Sequence, residues 1–412
     1  MATVRPDPAE LQRQARELRP FIVDLTLRIC RVRTVDYFVE DFPAGGPDGM
    51  ASPGEEGKVV AILQPELDRL GIPHTSHAKV PGRENLLARV GRGVPGHRRL
   101  MVMLHTDVVP SGSPSAWRFA PFEPFEKDGK LYGRGVLDDK GPLASSFAAL
   151  ALLKRHEEHI PGEFVFAAVG DEEVGVGVGV DHLLEQGLID CTDAIIPDIA
   201  GDMKEINVAE KGRVLLKVRA KGRQAHAMNP AKGINAIHAM ARFLLALEES
   251  AALRHTPHAV LGGPTINTGL IRGGMAPNAV AADCETTLDI RYVPSQSAQA
   301  IREEIQALAG KVSMPGASFE VEIFQDALPC EVSPQAPIVQ AILEHAPGAR
   351  VVGSGGGTFA KPLVLAGVEA VGWAPGNEAT YHEPNEEIEV EQLVVFAGRL
   401  AALALDVCSR KV

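Results

Sequence analysis

RRLMVML at 98–104 runs directly into HTDVVP at 105–110, and this stretch decides the fold. A short apolar run bounded by polar and turn residues predicts a buried strand. Similar runs stand at 163–170 (EFVFAAVG) and 194–197 (AIIP), with helices predicted from Leu143 to about His156 and near 177–187. Upstream, Val59, Val60, Ile62, Leu63, Leu67 and Leu70 recur at helical spacing and predict a helix over 55–71. Residues 8–32 read as one amphipathic helix, followed by the Gly/Pro-rich loop FPAGGPDGMASPGEEG. Strands alternating with helices predict a mainly parallel α/β sheet covered on both faces.

The pattern changes after residue 210. RVLLKVRAKG (213–222) alternates apolar with charged or small residues, as a half-exposed strand does. A helix is predicted at about 231–248, strands at 265–273 and 283–293, and a helix at 296–309. This is the pattern of a small α+β domain with one solvated sheet face. From about Cys330 the helix–strand alternation returns and ends in an apolar helix at 389–407. The expected organisation is therefore a discontinuous α/β domain, 1–210 and 328–412, interrupted by an α+β insert at 211–327.

The chain's 412 residues exceed the roughly 250–300 at which a single core stops growing, which agrees with two domains. The net charge of −12 argues against a nucleic-acid binder, which needs a basic footprint. Cys30, Cys191, Cys284, Cys330 and Cys408 are scattered and form no CxxC pair, so neither a disulfide framework nor a thiolate zinc site is expected. The polar N-terminal stretch lacks a signal-peptide core, and no run approaches the ~20 apolar residues of a membrane span. A cytoplasmic protein, with neither nucleic acid nor membrane as partner, is the expectation.

The chemistry gathers where the strands end. His105 and Asp107 close the first run, Asp138 and Asp139 precede the 143–156 helix, and Glu172 and Glu173 follow the next strand. Taken singly, each pair has a bland explanation as a polar strand end, a helix cap or a solvated loop. Repeated at three junctions on one sheet edge, where α/β folds bind ligands, such crowding of like charge needs a cation. Imidazole and carboxylate without thiolate suit zinc, cobalt or manganese. Asp198, after AIIP, and His382, in YHEPNEEI, are further candidates.

HTDVVP, PFEP…DGKLYGRGVLDDKGP, GDEE, KGRQAHAMNPAKGINAI, TINTGLIRGGMAPN, LDIRY, GGGTFA and YHEPNEEI occur in this order. Together they resemble the dinuclear-zinc family of acetylornithine deacetylase, succinyl-diaminopimelate desuccinylase, bacterial glutamate carboxypeptidase and related dipeptidases. The resemblance implies a catalytic α/β domain with an inserted lid and dimerisation domain. It implies two metal ions, held by His105, Asp138, Glu173, Asp198 and His382, with Glu172 as general base and Asp107 orienting His105. By the same resemblance His226 of the insert stabilises the oxyanion across a homodimer. Asn278 and Arg291 meet a substrate carboxylate, and Gly356, Gly357 and Thr358 line the pocket. A cis peptide between Asp138 and Asp139 is implied as well. The substrate class is a dipeptide or N-acyl amino acid with a free carboxylate; the acyl group stays open.

Two departures from the family pattern stand out. VGVGVGV follows GDEE where the family often has a Ser/Gly-rich segment, and IIPDIAGD lacks the usual GEP wording, which leaves Asp202 as an alternative to Asp198. GVGVG at 175–179 has GxGxG rather than GxGxxG spacing, and SGGGT at 354–358 lacks the Lys-Ser/Thr ending of a phosphate loop. The competing reading from another class is a relative that binds such ligands without catalysis. The competent residues at every ligand position weigh against it.

Overall fold

A computed structural model describes residues 5–42, 46–199, 201–250, 256–312 and 314–412. Residues 43–45 of the Gly/Pro-rich loop and Ala200 of the IIPDIAGD stretch lie outside that set. The chain divides into two compact units. One holds the N-terminal segment to Val208, Val332–Val351 and Thr358–Val412, and the other holds Ala209–Glu331 and Val352–Gly357.

The larger unit is built on a mixed sheet. Its strands are β1 (His74–Ala78), β2 (Glu84–Gly91), β3 (Arg99–His105), β4 (Glu163–Val169), β5 (Asp193–Ile196), β6 (Glu205–Glu210) and β7 (Glu369–Gly372). They lie side by side as β1-β2-β4-β3-β5-β7-β6. The four central strands, β4-β3-β5-β7, are parallel, and antiparallel pairings flank them. Every residue of β3 after Arg99 is buried, as a strand covered on both faces requires. Met101, Met103, Val165, Ala167, Ala194 and Ile196 pack on one side with Leu183, Phe359 and Leu363. The helices Lys140–Arg155 and Val390–Val407 pack against each other and against β3. Because β3, β4 and β5 run in one direction, His105, the segment after Val169 and the segment after Ile196 emerge at the same sheet edge.

Two differences from the expected elements have simple causes. The N-terminal helix is two, Pro8–Glu17 and Arg19–Cys30. Pro20, in the first turn of the second, has no N–H to continue the first helix. The helix expected at 177–187 is only Val180–Glu185. The glycines before it form a loop with Gly175 and Gly177 at φ +72° and +81°, and the Asp171 carboxylate accepts the Val176 and Val178 N–H groups, both at 2.8 Å. The antiparallel strands β1 and β2 were not anticipated.

The smaller unit has an antiparallel sheet in the order Thr265–Gly273, Asp283–Tyr292, Gly212–Lys221, Ser318–Ala327. Helices Ala236–Glu249 and Ala298–Val312 bury one face around Leu216, Phe243, Leu288 and Ile305. Gly212–Lys221 alternates buried and half-buried residues, as its sequence predicts. Ser318–Ala327 was missed: Val321 is its one fully buried residue, so it carries little apolar periodicity. Thr265–Gly273 is an edge strand, and almost all of its side chains are exposed.

Candidate metal centre

The edge beyond β3, β4 and β5 assembles the acids that the sequence spaces far apart. His105 is buried at the end of β3. Its Nε2 lies 2.8 Å from Asp138 Oδ1 and 3.9 Å from Asp198 Oδ1. His382 Nε2 lies 2.9 Å from Asp138 Oδ2 and 3.3 Å from Glu173 Oε2. Asp138 thus stands between two imidazoles, one on each carboxylate oxygen. Donor atoms of His105, Asp138 and Glu173 lie within 4.8 Å of one another, and so do those of His105, Glu172 and Asp198.

The electrostatics leave this cluster short of positive charge. Among the described residues, the ion pairs of Asp138, Glu173 and Asp198 are with His105 and His382 alone. Glu173 Oε1 is buried without a hydrogen-bond partner. Burial and neighbouring carboxylates push Glu172 well above the usual carboxylate range and Asp198 up to about 7. An orphaned carboxylate oxygen beside crowded acids and two imidazoles is the donor set of a divalent cation site. The residues present fit the metal.

The adjacent acids divide their work. Asp138 faces the imidazoles, while Asp139 Oδ2 accepts the His105 backbone N–H at 3.2 Å. The peptide between them is cis, in agreement with the resemblance. Asp107 meets His105 through both its main chain and its carboxylate. His105 Nδ1 sits 3.0 Å from the Asp107 main-chain oxygen and 3.8 Å from its carboxylate. The Asp107 carboxylate also accepts the backbone N–H groups of Glu172 and Glu173, at 3.3 and 3.0 Å. It therefore holds the backbone of the glutamate pair while lying beside the histidine.

Asp198, rather than Asp202, stands with the donor groups; Asp202 bonds Gln392 and Lys204. Tyr381, beside His382 in the sequence, was missed. Its hydroxyl donates to Asp198 Oδ1 at 2.5 Å, and its ring stacks on that of His382 with centroids 5.6 Å apart. Nothing in its residue type distinguished it; adjacency to His382 was the available signal.

The remaining candidates are not among these donor groups. Exposed His226 and Asn278 lie in the smaller unit, where Gln224, Ala225, Met275, Ala276 and Ala279 share with them a cavity of about 600 Å³. The Met228 N–H donates to His226 Nδ1 at 3.0 Å, which leaves Nε2 as the protonated nitrogen. Arg291 is engaged with Asp289 at 2.9 Å and the Gly355 carbonyl at 3.2 Å. Gly356 and Gly357 are exposed in the same unit, and Thr358 lies in the larger one.

Residues 101–406 match the model of peptidase family M20/M25/M40. This chain belongs to that family. It is a metal-dependent hydrolase of amide bonds. Acetylornithine deacetylase of Edwardsiella ictaluri is 30% identical over 377 residues, covering 88% of this chain and 94% of that protein. Succinyl-diaminopimelate desuccinylase of Methylorubrum extorquens is 32% identical, covering 62% and 69% respectively. Among solved structures, a tripeptidase of Staphylococcus aureus has a TM-score of 0.71 at 21% identity, covering 95% of this chain and 99% of that one, a likeness of fold. No helix among the described residues is long and apolar enough to cross a membrane.

Proposed function

We propose that the protein hydrolyses the amide bond of a small N-acyl amino acid or dipeptide bearing a free carboxylate. Two zinc ions are the proposed metals, with cobalt or manganese also suited to the donors. The observation that carries this reading is the pair of overlapping donor groups sharing His105, one with Asp138 and Glu173 and the other with Glu172 and Asp198. His105, Asp138, Glu173, Asp198 and His382 would hold the metals. When bound, they polarise the scissile carbonyl and make water acidic enough to ionise near neutral pH.

Glu172 takes the proton of the attacking water and returns it to the leaving amine nitrogen as the C–N bond breaks. The products are a carboxylic acid and an amine. The base role of Glu172 rests on the order of the EE pair in the family, since its carboxylate also lies within reach of the donor cluster. His226 Nε2–H is the proposed donor to the tetrahedral oxyanion. Asn278, which shares the His226 cavity, is better placed than the engaged Arg291 to receive a substrate carboxylate.

The assembly we propose is a homodimer through residues 211–327, with His226 serving the partner subunit's site. The unpaired edge Thr265–Gly273, with Leu270 and Ile271 more than half exposed, supports pairing with a second copy. Two experiments test these statements. A panel of N-acetyl and N-succinyl amino acids and dipeptides, assayed with metal and with chelator, should show metal-dependent amine release. Silence across the whole panel at full metal occupancy would favour a binding-only protein. Mixing inactive Glu172→Gln and His226→Ala proteins should restore activity as subunits exchange; proven exchange without recovery removes the trans role.

A further inference from the structure

Asp138 and His382 arrive at the metal centre on loops far apart in sequence, GRGVLDDKGP and YHEPNEEI. Beneath them lies an ion pair that the chemistry described so far leaves unused. Glu386 is completely buried, and both its oxygens are spent on the first loop. Oε1 accepts the N–H groups of Leu137 at 2.8 Å and of Asp138 itself at 3.1 Å. Oε2 accepts the Gly135 N–H at 3.1 Å and Arg134 Nη1 at 2.7 Å. The main-chain oxygen of Glu386 takes the Gly133 N–H at 3.2 Å.

Arg134 closes the circuit. It too is buried, its guanidinium lies 5.1 Å from the Trp117 ring centre, and Nη2 donates to the His382 carbonyl at 3.4 Å. His382 needs such a hold, because its φ of +57° lies in the left-handed region that a non-glycine residue rarely adopts. One carboxylate thus fixes the backbone of Asp138, and its guanidinium partner reaches the backbone of His382.

We infer that Glu386 and Arg134 are a positioning pair that sets the spacing of Asp138 and His382 for metal. This rests on the reading of those two residues as metal ligands. Converging backbone N–H groups and a guanidinium demand an acceptor at every lone pair. A glutamine would turn an NH₂ toward donors and force the loop to move. Outer-shell partners of metal ligands characteristically cost 10–100-fold in metal affinity when changed.

The test uses full-length protein stripped by chelator and titrated with cobalt(II), following the visible absorption that reports coordination geometry. Metal-free melting, followed by circular dichroism, separates ligand positioning from bulk stability. Folded Glu386→Gln should bind cobalt about 10–100-fold more weakly than wild type, with shifted bands. Wild-type affinity and spectrum in folded Glu386→Gln, even with a lowered melting point, would reduce the pair to structural support and overturn the inference. If Glu386→Gln does not fold, Arg134→Lys decides. It keeps the charge on Glu386 but cannot reach both partners, so it should lower the affinity and shift the bands; an unchanged titration overturns the inference. A wild-type protein that binds no cobalt would instead overturn the metal reading itself, and the pair's role with it.

Discussion

The larger unit buries two clusters of acids, and they differ in what balances them. Asp36 and Glu56 surround Arg83: its Nη2 lies 2.6 Å from Asp36 Oδ2, and its Nε donates to both Glu56 oxygens at 3.1 and 3.0 Å. At the metal centre, Asp138, Glu173 and Asp198 have two histidines and, among the described residues, no arginine or lysine. The residue types are nearly the same. Where an acid is structural, the fold supplies its own guanidinium, as it does again for Glu386. At the candidate metal centre the described residues supply no such cation, and a permanent internal charge there would compete with an ion.

The largest effect expected from this contrast is on catalysis. Chelation should abolish amine release, and re-addition of metal should restore it. A stripped protein that keeps its rate breaks the comparison outright. Glu172→Gln, loaded to the wild-type metal content by elemental analysis, should lose about 10²–10⁴-fold in turnover. Retained turnover with an emptied metal site would mean that Glu172 and Glu173 have exchanged roles.

Next in size is the cost of unbalancing the guanidinium cluster. Glu56→Ala leaves buried Arg83 with Asp36 as its remaining carboxylate and should destabilise the protein by up to about 3–5 kcal/mol in urea unfolding. Asp198→Asn should behave oppositely in metal-free protein. It removes one of the crowded charges and keeps an acceptor for the Tyr381 hydroxyl, so stability should hold or rise. The variant should lose instead in the stabilisation that added metal confers, which for an intact site is about 2.7 kcal/mol at a hundredfold excess over Kd. If Asp198→Asn destabilises the metal-free protein as much as Glu56→Ala does, the two clusters are not different in kind.

The remaining predicted effect is on pH dependence. Burial raises Glu56 to about 7, with Asp107 adding to the rise and Arg83 opposing it. A carboxylate raised in the fold contributes stability that is fully present below its unfolded value, near 4.5, and lost as pH climbs through about 7. The stability of wild type relative to Glu56→Gln should therefore decline from pH 4.5 to 7, by at most about 1.4 kcal/mol per pH unit for one proton. A flat difference across that window would show that Arg83 keeps Glu56 ionised throughout.

Much of this was legible in the sequence, for identifiable reasons. The apolar runs at 98–104, 163–170 and 194–197 are strands because a strand covered on both faces leaves no room for polar positions. Once those runs are parallel, HTD, EE and Asp198 must share an edge. The amphipathic insert announced its open-faced sheet through the alternation in RVLLKVRAKG. Ser318–Ala327, with one fully buried residue, carried too little contrast to be seen.

What the sequence by itself determined was therefore the set of candidate ligand types, the sheet edge that gathers them and the crowding of charge that points to a cation. Residue type and period are local properties and survive being read one segment at a time. Which acids are neutralised from within, and what each carboxylate touches, was decided only by the tertiary structure. Asp107 shows this: two residues from His105, it spends its carboxylate on the backbone of Glu172 and Glu173. Arg83 reaches Glu56, Arg134 reaches Glu386 and Tyr381 reaches Asp198 only because the packed strands and loops bring them together. A hydrogen bond is fixed by distances of a few tenths of an ångström. Distances between residues that far apart in the chain exist only once the core has closed.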